Sequence, residues 1–255
     1  MQNEQINKLA TSPSLGAVTY QAIALIQGLK SINDIEYPPQ ARRIRDLFIC
    51  ITEYTREQLC ELYNPADPLT VRGGPSGLLR MYALGRILHE VHSYIRYLQA
   101  SSPLQTSPAI QFILTQLTDL YFPKANGEPV CLVRPQWKYN LSYVPLTKYL
   151  ERIVSLAVLD PDGNLEVNSS DELLTILWRK RFDSLPKEKQ DLLGAEPPKQ
   201  LAVLSFAALD AYDALLYPFL AHELGHFIDF SYDPPLHLQA LRQTHSLINL
   251  EQIQA

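Results

Sequence analysis

Two histidines and a glutamate, in the run His222-Glu223-Leu224-Gly225-His226, are the residues whose types and spacing point most directly to chemistry. Four positions make about one helical turn, so on a helix both imidazoles leave the same face and reach a single tetrahedral metal ion. Glu223 is then placed to take a proton from a water polarised by that ion. The pattern works only on a helix, and Pro218 to Phe230 reads as one. Pro218 is tolerated in a first turn, and Asp233-Pro234-Pro235 stops the segment.

This pattern resembles the zincin metallopeptidases, whose HExxH helix supplies two zinc ligands and the general base. The likeness covers Phe219 to Asp229. Within it Leu220, Leu224, Phe227 and Ile228 are uncharged, and Gly225 stands where many zincins carry a small residue. The resemblance implies a zinc-dependent peptidase with Zn2+ as cofactor, His222 and His226 as metal ligands, Glu223 as the catalytic base, and a peptide or protein as substrate. Two rival readings stand beside it: a catalytically inactive zincin-like binding or regulatory module, and a zinc hydrolase acting on a non-peptide amide, whose carbonyl poses the same problem.

A catalytic zinc site has three protein ligands and a water, so the pair needs a third donor. Asp229, Asp233, His237, His245 and Glu251 follow it in sequence. If the chain reverses near Asp233 and Leu236 to Ile253 forms an antiparallel helix, equal rise on both helices brings roughly residues 241–246 level with the metal, which selects His245. Glu251 falls about 9 Å beyond at ~1.5 Å per residue. The thermolysin-like branch of zincins, however, takes a Glu from a downstream helix, which keeps Glu251 as the alternative third ligand. That branch is favoured over the metzincins, whose third His would fall at Tyr232. A ligand beyond Ala255 also stays open, because the chain ends inside an apolar-periodic helix without a C-cap signal.

Asp229, one turn past His226, suits a second-shell acceptor that holds an imidazole N–H. Asp233 reads as an N-cap before Pro234, and His237 as an exposed residue in a first turn. Tyr212, Tyr217 and Tyr232 flank the motif and read as packing residues, each with an O–H able to meet an oxyanion. Peptide deformylases also resemble the motif but take an upstream Cys ligand, and the surroundings of Cys131 do not match theirs. His89 and His92 are three apart on a long helical pattern and read as surface or packing residues. Gly73-Gly74-Pro75-Ser76-Gly77 lacks the Lys-Ser/Thr ending of a phosphate-cradling loop and reads as a turn or N-cap.

The elements that must position these residues are mainly helical, with prolines punctuating apolar-periodic segments. Leu15 to Ile32, Gln40 to Tyr63, Ser76 to Ala100 and Pro108 to Tyr121 read as helices of an N-terminal bundle. Between Val130 and Val144 aromatic and β-branched residues alternate, and Asp160 to Gly163 reads as a turn between Leu156–Leu159 and Leu165–Val167, which together predict a small antiparallel sheet. Ser170 to Phe182 returns to helix, and Leu201 to Phe206 is a strand or a buried helix. The expected fold is thus α+β and predominantly helical: a helical region over residues 1–125, then a zincin-like region over 126–255 with a small antiparallel sheet and the active-site helix.

With 255 residues, 46% of them apolar, the chain can bury a sizeable core. A net charge of −5 argues against a nucleic-acid or membrane partner, which would select for clustered cations. The short basic runs Arg42, Arg43, Arg45 and Arg179, Lys180, Arg181 read as solvated helix faces. Cys50, Cys60 and Cys131, an odd number without CxxC spacing, read as buried thiols of a reduced, cytoplasmic protein. Tyr20 to Leu29 is too short to span a bilayer and lacks the flanks of a signal peptide. Nothing in the pattern sets the oligomeric state.

Overall fold

A computed structural model of the chain describes residues 12–32, 37, 39–67, 70–102, 106–122, 129–136, 142–145, 170–198, 200–207, 217–232 and 235–241. It forms two compact units, each assembled from two stretches of chain: Met1–Ser102 with Thr147–Pro198, and Pro103–Leu146 with Lys199–Ala255. The boundary expected between residues 125 and 126 therefore falls inside the second unit. Among the described residues no helix is long and apolar enough to cross a membrane.

The first unit is helical: α1 (Ser12–Lys30), α2 (Pro39–Glu61), α3 (Gly74–Ala100), α5 (Ser170–Asp183) and α6 (Lys187–Leu193), with α4 (Pro108–Tyr121) of the second unit falling between α3 and α5 in the chain. Its centre is α2, which packs against α1, α3, α5 and α6. The glycine run before α3 is indeed a helix start. Gly73 takes the left-handed conformation at φ 84° as N-cap, and a proline occupies the first turn. A Cβ at Gly77 would meet the Arg72 carbonyl oxygen at 1.9 Å, so this turn cannot accept a side chain there.

The first basic run is not a solvated face. Arg43 and Arg45 are buried, as is Asp46. Arg45 Nη2 lies 2.7 Å from Asp46 Oδ2 and Arg181 Nη2 lies 3.2 Å from Asp46 Oδ1, so one carboxylate joins α2 to α5. Buried cations are tolerable when such a partner and hydrogen bonds replace water, and Arg45 also donates to the Ile32 carbonyl at 2.9 Å. Helix α6, which the pattern of apolar residues does not announce, follows Pro186 and ends at Gly194, whose carbonyl accepts from the buried Trp178 indole at 3.1 Å.

The second unit holds α4 (Pro108–Tyr121), β1 (Val130–Gln136), β2 (Ser142–Pro145), β3 (Leu201–Ala207), α7 (Tyr217–Phe230) and a short helix over residues 236–241, α8. Leu201 to Phe206 resolves as a strand, and it is the central one: the order is β1-β3-β2. The small antiparallel sheet of the sequence reading is corrected to a mixed one. β2 runs antiparallel to β3, with Tyr143 opposite Leu204, but β1 runs parallel to it, with Val130 opposite Leu201 and Gln136 opposite Ala207. Parallel strands need a long crossover, and here β2, α5 and α6 lie between the two. Alternation within one strand does not reveal such a distant partner. The expected strands at Leu156–Leu159 and Leu165–Val167 lie outside the described residues.

Every residue of β3 is buried, as expected of a strand apolar at every position but Ser205 and covered on both faces; the Ser205 hydroxyl accepts from Arg134 at 3.1 Å. Pro135 and Pro145 sit in β1 and β2, the edge strands, where no ladder donor is lost from the centre. Cys131, Val133, Ala202, Leu204 and Phe206 form one core with Ile110 and Leu114 of α4 and with α7. Helix α4 thus belongs to the sheet-bearing unit, not to the N-terminal bundle where its position in sequence suggests it.

Two of the cysteines are buried as expected, whereas Cys60 is exposed. Burial pushes the Cys131 thiol up from 9.0 to about 12. Burial likewise raises Cys50 to about 12, against a partial opposing pull from the Arg181 charge. A raised thiol pKa stabilises the fold below the unfolded value and loses that contribution as pH climbs from about 9 towards 12. In the native chain a thiol reagent at neutral pH should therefore titrate Cys60 alone, with Cys50 and Cys131 appearing only on addition of denaturant. Rapid native labelling of Cys131 would contradict its place in the core.

Candidate functional site

Helix α7 is held by one face. Leu220, Leu224, Phe227 and Ile228, at helical spacing, are buried in the core with β1, β3 and α4. Phe122, just past α4, meets Phe227 with ring centroids 5.2 Å apart. With that face committed inward, His222, Gly225 and His226 must face outward, and all three are exposed, with Glu223 half-buried beside them. Phe219 and Phe230 bracket the pair on the same side, each 61% exposed.

The His222 and His226 rings stand edge to face, their centroids 4.8 Å apart. Two imidazole nitrogens ~2.0–2.1 Å from one ion, subtending a tetrahedral angle, put their centroids about 5 Å apart. That spacing is compatible with a shared ligand, and the side of the helix is one that solvent reaches. Neither ring is enclosed in a dry interior, the arrangement that would leave no room for a water on the ion. Two nitrogen donors beside a carboxylate also match the donor chemistry of zinc.

Among the described residues no group of three or more His, Cys, Asp or Glu side chains is gathered as a metal site. His245 and Glu251, the donors expected to complete the set, lie outside the described residues, as do Tyr212 and Asp233. Cys131 is buried in the sheet core at β1, and its raised pKa disfavours the thiolate a metal requires. His89 and His92 are exposed on α3.

Asp229 departs from its expected role. Its carboxylate holds neither His222 nor His226 but His237: Oδ1 accepts from the His237 main-chain N–H at 2.9 Å, and Oδ2 lies 2.5 Å from the ring Nδ1. Burial acts to raise the Asp229 carboxyl. The His237 amide, the His237 ring with its charge when protonated, and the Leu236 amide together outweigh it and hold the group below the usual value of 3.8. A carboxyl lowered on folding stabilises the fold above its unfolded pKa and loses that contribution as pH falls through the folded one. His237 is exposed in the first turn of α8, as its place after two prolines suggests. Its partner is not legible there, because the contact exists only once the chain has reversed.

Two further contacts secure the reversal. Ser231 Oγ donates to the Ile228 carbonyl at 2.5 Å, and the Tyr232 hydroxyl donates to the Tyr121 carbonyl at 2.9 Å. Tyr232 thus packs on the core, in line with its reading as a packing residue. Its hydroxyl is committed to α4 instead of facing the histidines.

Comparison of the chain with protein-family models, with curated proteins and with solved structures finds no match. The site's meaning rests on its own geometry.

Adjacent residues on opposite faces of α7 give this placement a sign test. Leu224→Ala removes a buried side chain and should cost about 2–5 kcal/mol. Gly225→Ala adds a methyl where no atom lies within 4 Å, on a helix interior, and should stabilise by ~0.5–1 kcal/mol. Urea unfolding of the two variants checks both; destabilisation by Gly225→Ala would contradict the outward face.

Proposed function

We propose that the chain is a zinc-dependent metallopeptidase that hydrolyses peptide bonds. His222 and His226 are two ligands of the metal, Glu223 is the general base, and His245 is the third ligand, with Glu251 as the alternative. The observation that carries this reading is the exposed pair of imidazoles, 4.8 Å between centroids, with the half-buried Glu223 next to His222 in sequence.

When bound, zinc supplies a Lewis acid that lowers the pKa of a water and polarises a carbonyl. The chain's own part is orientation and proton transfer. His222 and His226 stand on a helix whose opposite face is anchored in the core, which limits the backbone reorganisation needed to bind. Glu223 follows His222 directly in the helix; in this reading one of its carboxylate oxygens takes the proton of the attacking water and later gives it to the leaving amine nitrogen. Phe219 and Phe230 line the approach to the pair and suit a substrate with apolar side chains near the bond to be cut.

Mass spectrometry and a fluorogenic peptide library test the assignment. The parent chain should hold about one zinc and turn peptides over, whereas Glu223→Gln should keep the zinc and lose about 10²-fold or more in turnover. His222→Ala with His226→Ala should abolish stoichiometric zinc, and His89→Ala with His92→Ala should not. Retention of the metal by the first pair of variants, or undiminished turnover in Glu223→Gln, defeats the proposal.

A further inference from the structure

We propose that Asp229 and His237 form a clamp that locks α8 onto the C-terminal end of α7, and that through it they act as positioning residues for the histidine pair. The positioning part rests on the zinc reading above; the clamp itself does not.

Asp229 is the last carboxylate on α7, and both of its oxygens are used on one residue eight positions later. Helix α8 begins after Pro234 and Pro235, which have no amide hydrogens, so its first free donors are the N–H groups of Leu236 and His237. Asp229 Oδ1 accepts from the second of these at 2.9 Å. It therefore serves as the N-cap of α8, delivered from the preceding helix instead of from the residue before the first turn. The ring contact adds a second tether. An ionised carboxylate only accepts, so a neutral His237 must carry its proton on Nδ1 to meet Oδ2. Phe230 fills the space between the site and the clamp, its ring 6.5 Å from that of His226 and 6.1 Å from that of His237.

Ser231 and Tyr232 hold the chain where it leaves α7, and the clamp holds the start of α8. In the zinc reading the clamp acts on His226 through the Phe230 ring that lies between His226 and His237. The Asp229 carboxylate thus orients a main-chain segment, whereas the sequence suggested that it orients a metal-bound ring.

The experiment uses the full 255-residue chain. Long-range proton–nitrogen NMR of the imidazoles at about pH 8, where an ordinary histidine is neutral, reports the tautomer of His237 without added metal. The parent should show the proton on Nδ1, and Asp229→Ala should move it to Nε2. Amide exchange at His237 should accelerate about fivefold in Asp229→Ala, the loss expected of a helix cap, and less in Asp229→Asn, which keeps an acceptor oxygen. An unchanged tautomer or unchanged exchange overturns the clamp. Should Asp229→Ala not fold, the near-isosteric Asn variant decides by its tautomer.

Zinc titration then tests positioning. Affinity should fall about tenfold in Asp229→Ala, the scale of a lost supporting contact, with partial rescue in Asp229→Asn. Full affinity despite a lost clamp overturns the positioning role. A parent chain that binds no zinc overturns the metal reading and the positioning role together, while the exchange data still decide the clamp.

Discussion

Leu220, Leu224, Phe227 and Ile228 leave α7 on one face, and each is withdrawn from water against the sheet and α4. Burying an apolar side chain of this size contributes about 1.5–3 kcal/mol. Rotating the helix to turn the histidines inward would expose all four and bury two imidazoles and a carboxylate without partners, each at a cost of its own. The orientation of His222, Glu223 and His226 is therefore a by-product of core packing.

The same packing explains why an exposed pair of histidines can be well placed. A site on a free surface helix would fray with its support, whereas α7 is pinned along its length by the core and at its end by the Tyr232 hydroxyl and the Asp229 carboxylate. The unit that carries it is built around β3, buried at every position, with an edge strand on either side. The helices of the first unit form a separate compact body, in which the buried Arg45 and Asp46 and the partly buried Arg181 join two helices far apart in the chain.

Local physics made much of this legible in the sequence. Prolines before Ala109 and Phe219 and the 3.6-residue recurrence of apolar residues locate α4 and α7 within about a residue. The histidine motif states its own geometry, since a helix fixes where residues four apart must point. What escaped depends on chain return. The parallel pairing of β1 with β3 joins strands separated by much of the chain, and it draws α4 into the sheet-bearing unit. Asp229 lies on the histidine stripe, which in the sequence makes it a neighbour of the expected metal, yet its partner arrives from the far side of a turn. Arg43 and Arg45 looked solvated because charge is a surface signal until a buried carboxylate such as Asp46 is placed beside it. Helix α6 is too short for periodicity to mark it.

The central claim is that two imidazoles a helical turn apart share one ion. Anomalous diffraction at the zinc absorption edge from crystals of the metal-loaded chain tests it most directly. A single strong peak within bonding distance of both the His222 and His226 rings, with Glu223 beside it and a third protein donor, is the predicted result. A peak elsewhere, such as on His89 and His92, with the α7 rings bare would contradict it.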